Sequence, residues 1–171
     1  LHGYHQKPEP AKVTEENLTD EGNYADIKFY PHDDSLKAEL AEWFNRHGTC
    51  EGKLTADNFI LGNGSYDILS GLNLLCLTHG RTVLGHAPQF TAYIDNVYCT
   101  GSSYRAVSMR REDNYRFDAG EYLSMMTEDI DLFIIENPNN PTGQSIPLKS
   151  IGMIAEKAMV MDKILIVDEA Y

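Results

Sequence analysis

Two short apolar runs, separated by an interval of helical spacing, constrain this chain more than any other feature. Leu132 to Ile135 and Ile164 to Val167 are almost wholly aliphatic and β-branched, as strands of a parallel sheet buried on both faces are. Between them Leu148, Ile151, Ile154, Ala155, Ala158 and Met159 recur at helical intervals, marking one buried helix face. Strand, helix, strand is a βαβ unit with a right-handed crossover expected. The fold class is therefore α/β with a mostly parallel sheet, helices covering it in three layers. Ligands of such folds collect beyond the carboxyl ends of the strands. There the sequence places Asn137, Asn139 and Asn140 after the first run, and Asp168 and Tyr171 after the second. Amides, a carboxylate and a phenol are expected to face one crevice.

The upstream chain supplies further parts in order. Residues 1–30 are polar and aperiodic, the pattern of an extended N-terminal arm. A helix follows, with Asp33 or Asp34 as cap, Leu36, Leu40, Trp43, Phe44 and His47 on one face, and Gly48 as its stop. Phe59 to Leu61 is expected as a short strand running into Gly62-Asn63-Gly64-Ser65. The next helix buries Ile68, Leu69, Leu72, Leu75 and Cys76 and stops at Gly80. A glycine turn opening a helix lets backbone N–H groups approach an anion, with the positive dipole end behind them. Glycine there also serves a strand-turn-helix junction for conformational reasons alone. Further strands are expected at 81–85 and 104–109, and a connection and helix at 114–126. The division expected is 1–53, an arm and first helix, and 54–171, the start of a larger domain.

NPNNPTG at 137–143 followed by VDEAY at 167–171 resembles the fold-type I aminotransferases that use pyridoxal 5′-phosphate (PLP). The histidinol-phosphate aminotransferases and the related threonine-phosphate decarboxylase are the nearest in pattern. The resemblance implies the PLP-dependent transferase large domain, incomplete here, and assigns roles. Gly64, Ser65 and Tyr66 would hold the phosphate through main-chain N–H groups, with Tyr66 standing where the family usually has Asp. Phe90, in the HAPQF string, would stack on the ring, with Tyr93 as second candidate. Asp168 would pair with the ring nitrogen, and Asn140 and Tyr171 would share the ring oxygen. Tyr30, of the Tyr30-Pro31 pair, would reach the phosphate in the partner subunit of a homodimer. Asp168, Tyr171 and Asn140 are thus the catalytic candidates. The substrates implied are an amino acid, or an amino-acid phosphate, and a 2-oxo acid. Decarboxylases and lyases share every motif present. The lysine that carries PLP in the family lies downstream of VDEAY, as does its carboxylate-binding arginine. The expectation is thus a truncated chain, inactive and poorly soluble by itself.

Composition narrows the remaining classes. Charged residues make up 23% and the net charge is −12, which argues against a nucleic acid or an acidic membrane surface as partner. Cys50, Cys76 and Cys99 form no CxxC pair, and no leader is visible, so a reduced, cytoplasmic protein is expected. His2, His5, His32, His47, His79 and His86 show no ligand spacing beyond the loose first pair. ILIVDE also resembles the acidic strand of an ATPase. Its required glycine-rich partner is missing, because Gly48 to Leu54 has the wrong spacing and no hydroxyl after Lys53. A non-catalytic interaction module of the same fold is the other alternative.

Overall fold

A computed structural model describes residues 34–48 and 53–171. Tyr30, His2, His5, His32, Asp33 and Cys50 lie outside the described residues. The chain forms two compact units, divided between Leu61 and Gly62.

In the first unit, helix α1 spans Asp34–His47. Its stop is as expected: the Gly48 N–H donates to the Phe44 carbonyl at 2.7 Å. Asn45 then clamps the following segment. Its amide exchanges hydrogen bonds with the Leu54 backbone, 2.8 Å to the carbonyl and 3.0 Å from the N–H. Residues 54–61 therefore travel with α1. They carry a single 3₁₀ turn, Ala56–Asn58; the strand expected at 59–61 does not form. Ala41 is the buried apolar residue of α1, while Leu36, Trp43 and Phe44 are exposed in this chain.

The second unit is built on a parallel four-stranded sheet. In chain order it contains α2 (Ser65–Cys76), β1 (Thr82–Ala87), α3 (Thr91–Cys99), β2 (Ser103–Ser108), α4 (Ala119–Met125), β3 (Leu132–Glu136), α5 (Leu148–Val160) and β4 (Ile164–Asp168). The strand order is β2-β1-β3-β4. Thr82 pairs with Ser103, Val83 with Leu132, and Leu132 with Ile164. Alternation along the strands feeds two cores. Leu84, Phe133 and Ile135 pack with Tyr122 of α4 and with Ile154 and Ala158 of α5. Val83, Leu132 and Ile134 pack with Leu69 of α2 and with Tyr93 and Val97 of α3. Three layers result, and β3 is buried at every residue. β4 is only half-buried because it closes the described sheet as an edge, so the expectation of two covered faces holds for one strand of the pair.

Several helix faces differ from the periodic reading. On α2 the buried positions are Leu69 and Asn73, whereas Leu75 is 80% exposed. Asn73 turns inward because its amide is used: it accepts from the Tyr93 phenol at 3.2 Å and donates to Asn96 at 2.8 Å. That helix ends at Cys76 with Leu77 as cap, short of Gly80. On α5, Ile154 and Ala158 are buried, while Met159 is 74% exposed. Helix α3 has no counterpart in the sequence reading. Gly85, within β1, is required by close packing: a Cβ there would collide with the Tyr104 hydroxyl.

Candidate functional site

A cleft of about 260 Å³ opens at the carboxyl ends of the strands, lined by residues from four separate stretches. The first stretch is the start of α2. Gly64 stands at its N-cap with φ 84° and ψ 169°, a backbone region that residues with a Cβ scarcely enter. With no side chain to cap them, the first amides of α2, including those of Ser65 and Tyr66, are left free to meet an anion. The space beside Gly64 is open: a Cβ built there meets nothing within 4 Å. Asp67, in the same turn, is already committed to the Asn63 N–H at 3.0 Å.

The second stretch follows β1. Phe90 lies half-buried in the wall, its ring edge-to-face with Tyr66 at a centroid distance of 5.9 Å. Tyr93, one helical turn on, is instead fully buried among core residues and is not part of the cleft. Of the two candidates, Phe90 is the one that lines the cleft.

The third and fourth stretches are the loops after β3 and β4. The NPNNPTG loop is folded on itself. The Gly143 N–H donates to the Asn139 carbonyl, the Asn139 N–H donates to Gln144, and the Ile146 N–H donates to the Asn137 side chain. Three proline peptide bonds around the cleft, at Pro88, Pro138 and Pro141, are cis. Asn140 is left facing outward, and its amide donates to the Tyr171 phenol oxygen at 3.3 Å. Asp168 lines the cleft at the end of β4, where burial lifts its carboxyl above the ordinary carboxylate range and a hydrogen bond from the Ala170 amide partly offsets the rise.

Gly64, Ser65, Tyr66, Phe90, Asn140, Asp168 and Tyr171 therefore all line one cleft. Tyr30 lies outside the described residues. The sequence reading missed Asn63, Pro138, Ala170 and above all Glu136. Glu136 ends β3 and is 2% exposed. Its signal was present: an acid closing an otherwise apolar strand directly before the asparagine loop. His86 is completely buried; its Nδ1 faces the Pro88 carbonyl at 3.2 Å, and its Nε2 accepts the Glu136 N–H at 3.0 Å. These partners require the neutral ring, and burial lowers its pKa to about 4, so it is a structural histidine. Among the described residues no cluster suited to a metal ion occurs, and no helix is long and apolar enough to cross a membrane.

The donor set fits pyridoxal phosphate. Free helix-start amides suit its phosphate and an aromatic wall its flat ring, and a carboxylate, an amide and a phenol in the same cleft offer partners for polar ring atoms.

The chain is 34% identical over 116 residues to a histidinol-phosphate aminotransferase of Chlorobium phaeovibrioides, covering 68% of this chain and 31% of that protein. A histidinol-phosphate aminotransferase of Mycolicibacterium smegmatis is 29% identical over 150 residues, 86% of this chain and 38% of its own length. Among solved structures, an aspartate aminotransferase from Thermus thermophilus with maleate superposes with a TM-score of 0.72 at 26% identity, over 81% of this chain and 36% of that one. The chain thus spans about a third of the length of these relatives. The sequence profile of aminotransferase class I and II matches residues 2–171, and aminotransferases of this class use pyridoxal 5′-phosphate. With the parallel sheet, the glycine-opened helix and the paired asparagine and aspartate loops all in place, this chain belongs to the class I and II aminotransferase family.

Proposed function

We propose that this chain supplies the cofactor-holding part of a PLP-dependent aminotransferase. That enzyme moves an amino group between an amino acid, or an amino-acid phosphate, and a 2-oxo acid. The observation that carries this reading is the single cleft joining an uncapped helix start, a Phe90 wall and the Asp168 carboxylate. When bound, PLP supplies an electron-withdrawing ring that stabilises negative charge at the substrate α-carbon. The protein's share is binding, orientation and protonation. Ser65 and Tyr66 hold the phosphate with their backbone amides, and Gly64 gives it room. Phe90 lies against the ring face and fixes its plane. Asp168 keeps a proton on the ring nitrogen by opposite charge at contact distance. Asn140 and Tyr171 hydrogen-bond the ring oxygen and set its proton affinity.

In the same reading, the N-terminal unit, through Leu61, contacts a second copy in a cytoplasmic homodimer, and the unit from Gly62 onward begins the large domain. Tyr30 reaches the phosphate of the partner's site. Titrating the full-length protein with PLP, followed by absorbance and by amino-group transfer, tests the reading. Saturable one-to-one binding that Asp168→Ala alters in spectrum supports it; a protein that binds no PLP refutes it.

A further inference from the structure

The cleft holds a second carboxylate that the roles above leave unused. Glu136 Oε1 accepts the Phe90 N–H at 2.9 Å. Its other oxygen, Oε2, accepts the Asn139 side-chain amide at 2.8 Å and the Asn140 N–H at 3.1 Å. One side chain thereby ties the loop after β1 to the loop after β3, and each loop carries a wall of the cleft. We propose that Glu136 is a positioning residue that holds Phe90 and Asn140 at the separation a flat, phosphate-bearing aromatic ring requires. This rests on the functional reading above.

The chemistry of the three contacts singles out a carboxylate. All three partners are donors, and an ionised carboxylate is the side chain that offers acceptors alone on both branches. Glutamine has the same shape but turns an NH₂ toward at least one N–H. Burying a charge is costly unless it is hydrogen-bonded, and no Lys or Arg lines the cleft among the described residues. The backbone of Glu136 is pinned as well, by its N–H to His86 and by its pairing with Asp168 across β3 and β4. A group held at both ends and satisfied by both loops sets a distance. Burial raises the proton affinity of Glu136, the Phe90, Asn140 and Asn139 bonds oppose that rise, and the Asp168 charge beside it adds a smaller push upward.

The test uses the full-length protein, wild type and Glu136→Gln, with three readouts. These are residue-resolved amide exchange of the cofactor-free protein, PLP affinity, and affinity for inorganic phosphate. The variant is expected to speed exchange at Phe90 and Asn140 about tenfold or more, as loss of a charge-assisted hydrogen bond does. The Leu132–Ile135 strand amides should stay protected. PLP affinity is expected to fall roughly tenfold, with phosphate affinity unchanged because the Gly64–Tyr66 cradle makes no bond to Glu136. Unchanged exchange in the two loops overturns the proposal. So does unchanged PLP affinity, or a loss of protection shared equally by the strands. Wild-type protein that binds no PLP overturns the functional reading instead, and is seen before any variant is made; the exchange readout still decides whether Glu136 holds the two loops.

Discussion

The amide of Asn140 donates to the phenol oxygen of Tyr171 at 3.3 Å, although the two residues belong to different strand ends and lie 31 positions apart. The contact is possible because β3 and β4 run parallel in register, with Glu136 opposite Asp168, so both loops leave the sheet at one level. Tyr171 is 77% exposed, which makes the bond a site feature and a minor contributor to stability. Tyr171→Phe should change folding stability by less than about 0.5 kcal/mol, as read from denaturant unfolding. The same variant should shift the pH titration of the bound PLP spectrum, because the ring oxygen loses a donor. An unchanged spectrum would remove Tyr171 from the site.

Asp168 should separate stability from function. Burial raises its carboxyl above the ordinary value of 3.8. A carboxyl raised in the folded state stabilises the fold fully below its unfolded value and loses that contribution as pH climbs through the folded one. Cofactor-free Asp168→Asn protein should therefore melt above wild type at pH 7, with the gap closing below about pH 4. Turnover should move the other way, falling roughly a thousandfold, which is about 4 kcal/mol of barrier. Paired melting curves at both pH values and a steady-state assay check this. A variant that melts lower at pH 7 would contradict the first half, and near-normal transfer the second.

Gly64→Ala should cost about 1–3 kcal/mol of stability, because the cost of φ 84° and ψ 169° is conformational. Crowding is absent, since the added Cβ meets nothing within 4 Å. If the backbone relaxes to escape that strain, the amides of Ser65 and Tyr66 turn with it, and affinity for PLP should drop more than affinity for dephosphorylated pyridoxal. Equal losses for the two ligands would argue against a phosphate cradle.

Ile154 is the test of the α5 layer. It is fully buried against the sheet core that includes Phe133 and Ile135, so Ile154→Ala should cost about 2–5 kcal/mol in denaturant unfolding. A smaller cost would mean that α5 packs less closely on the sheet than its burial indicates.

The sequence by itself determined the local and periodic features of this protein. Short aliphatic runs rich in β-branched residues favour strands, so β3 and β4 were legible as strands, as was the helix between them, although only β3 is covered on both faces. Glycine at a helix start permits, and asparagine-proline turns favour, backbone conformations that most residues avoid, so the cleft's loops could be named in advance. Tertiary structure decided what depends on residues distant in the chain. Asn73 points inward and Leu75 outward because Tyr93 and Asn96 offer hydrogen bonds on one side of α2, which a hydrophobic period cannot register. Met159 lies outside because α5 meets the sheet along a narrower stripe than its apolar residues mark out. Glu136 became a tie between two loops only when β1 and β3 came to lie side by side. A carboxylate's role is set by which donors reach it, and one of these, the Phe90 N–H, arrives from 46 residues away.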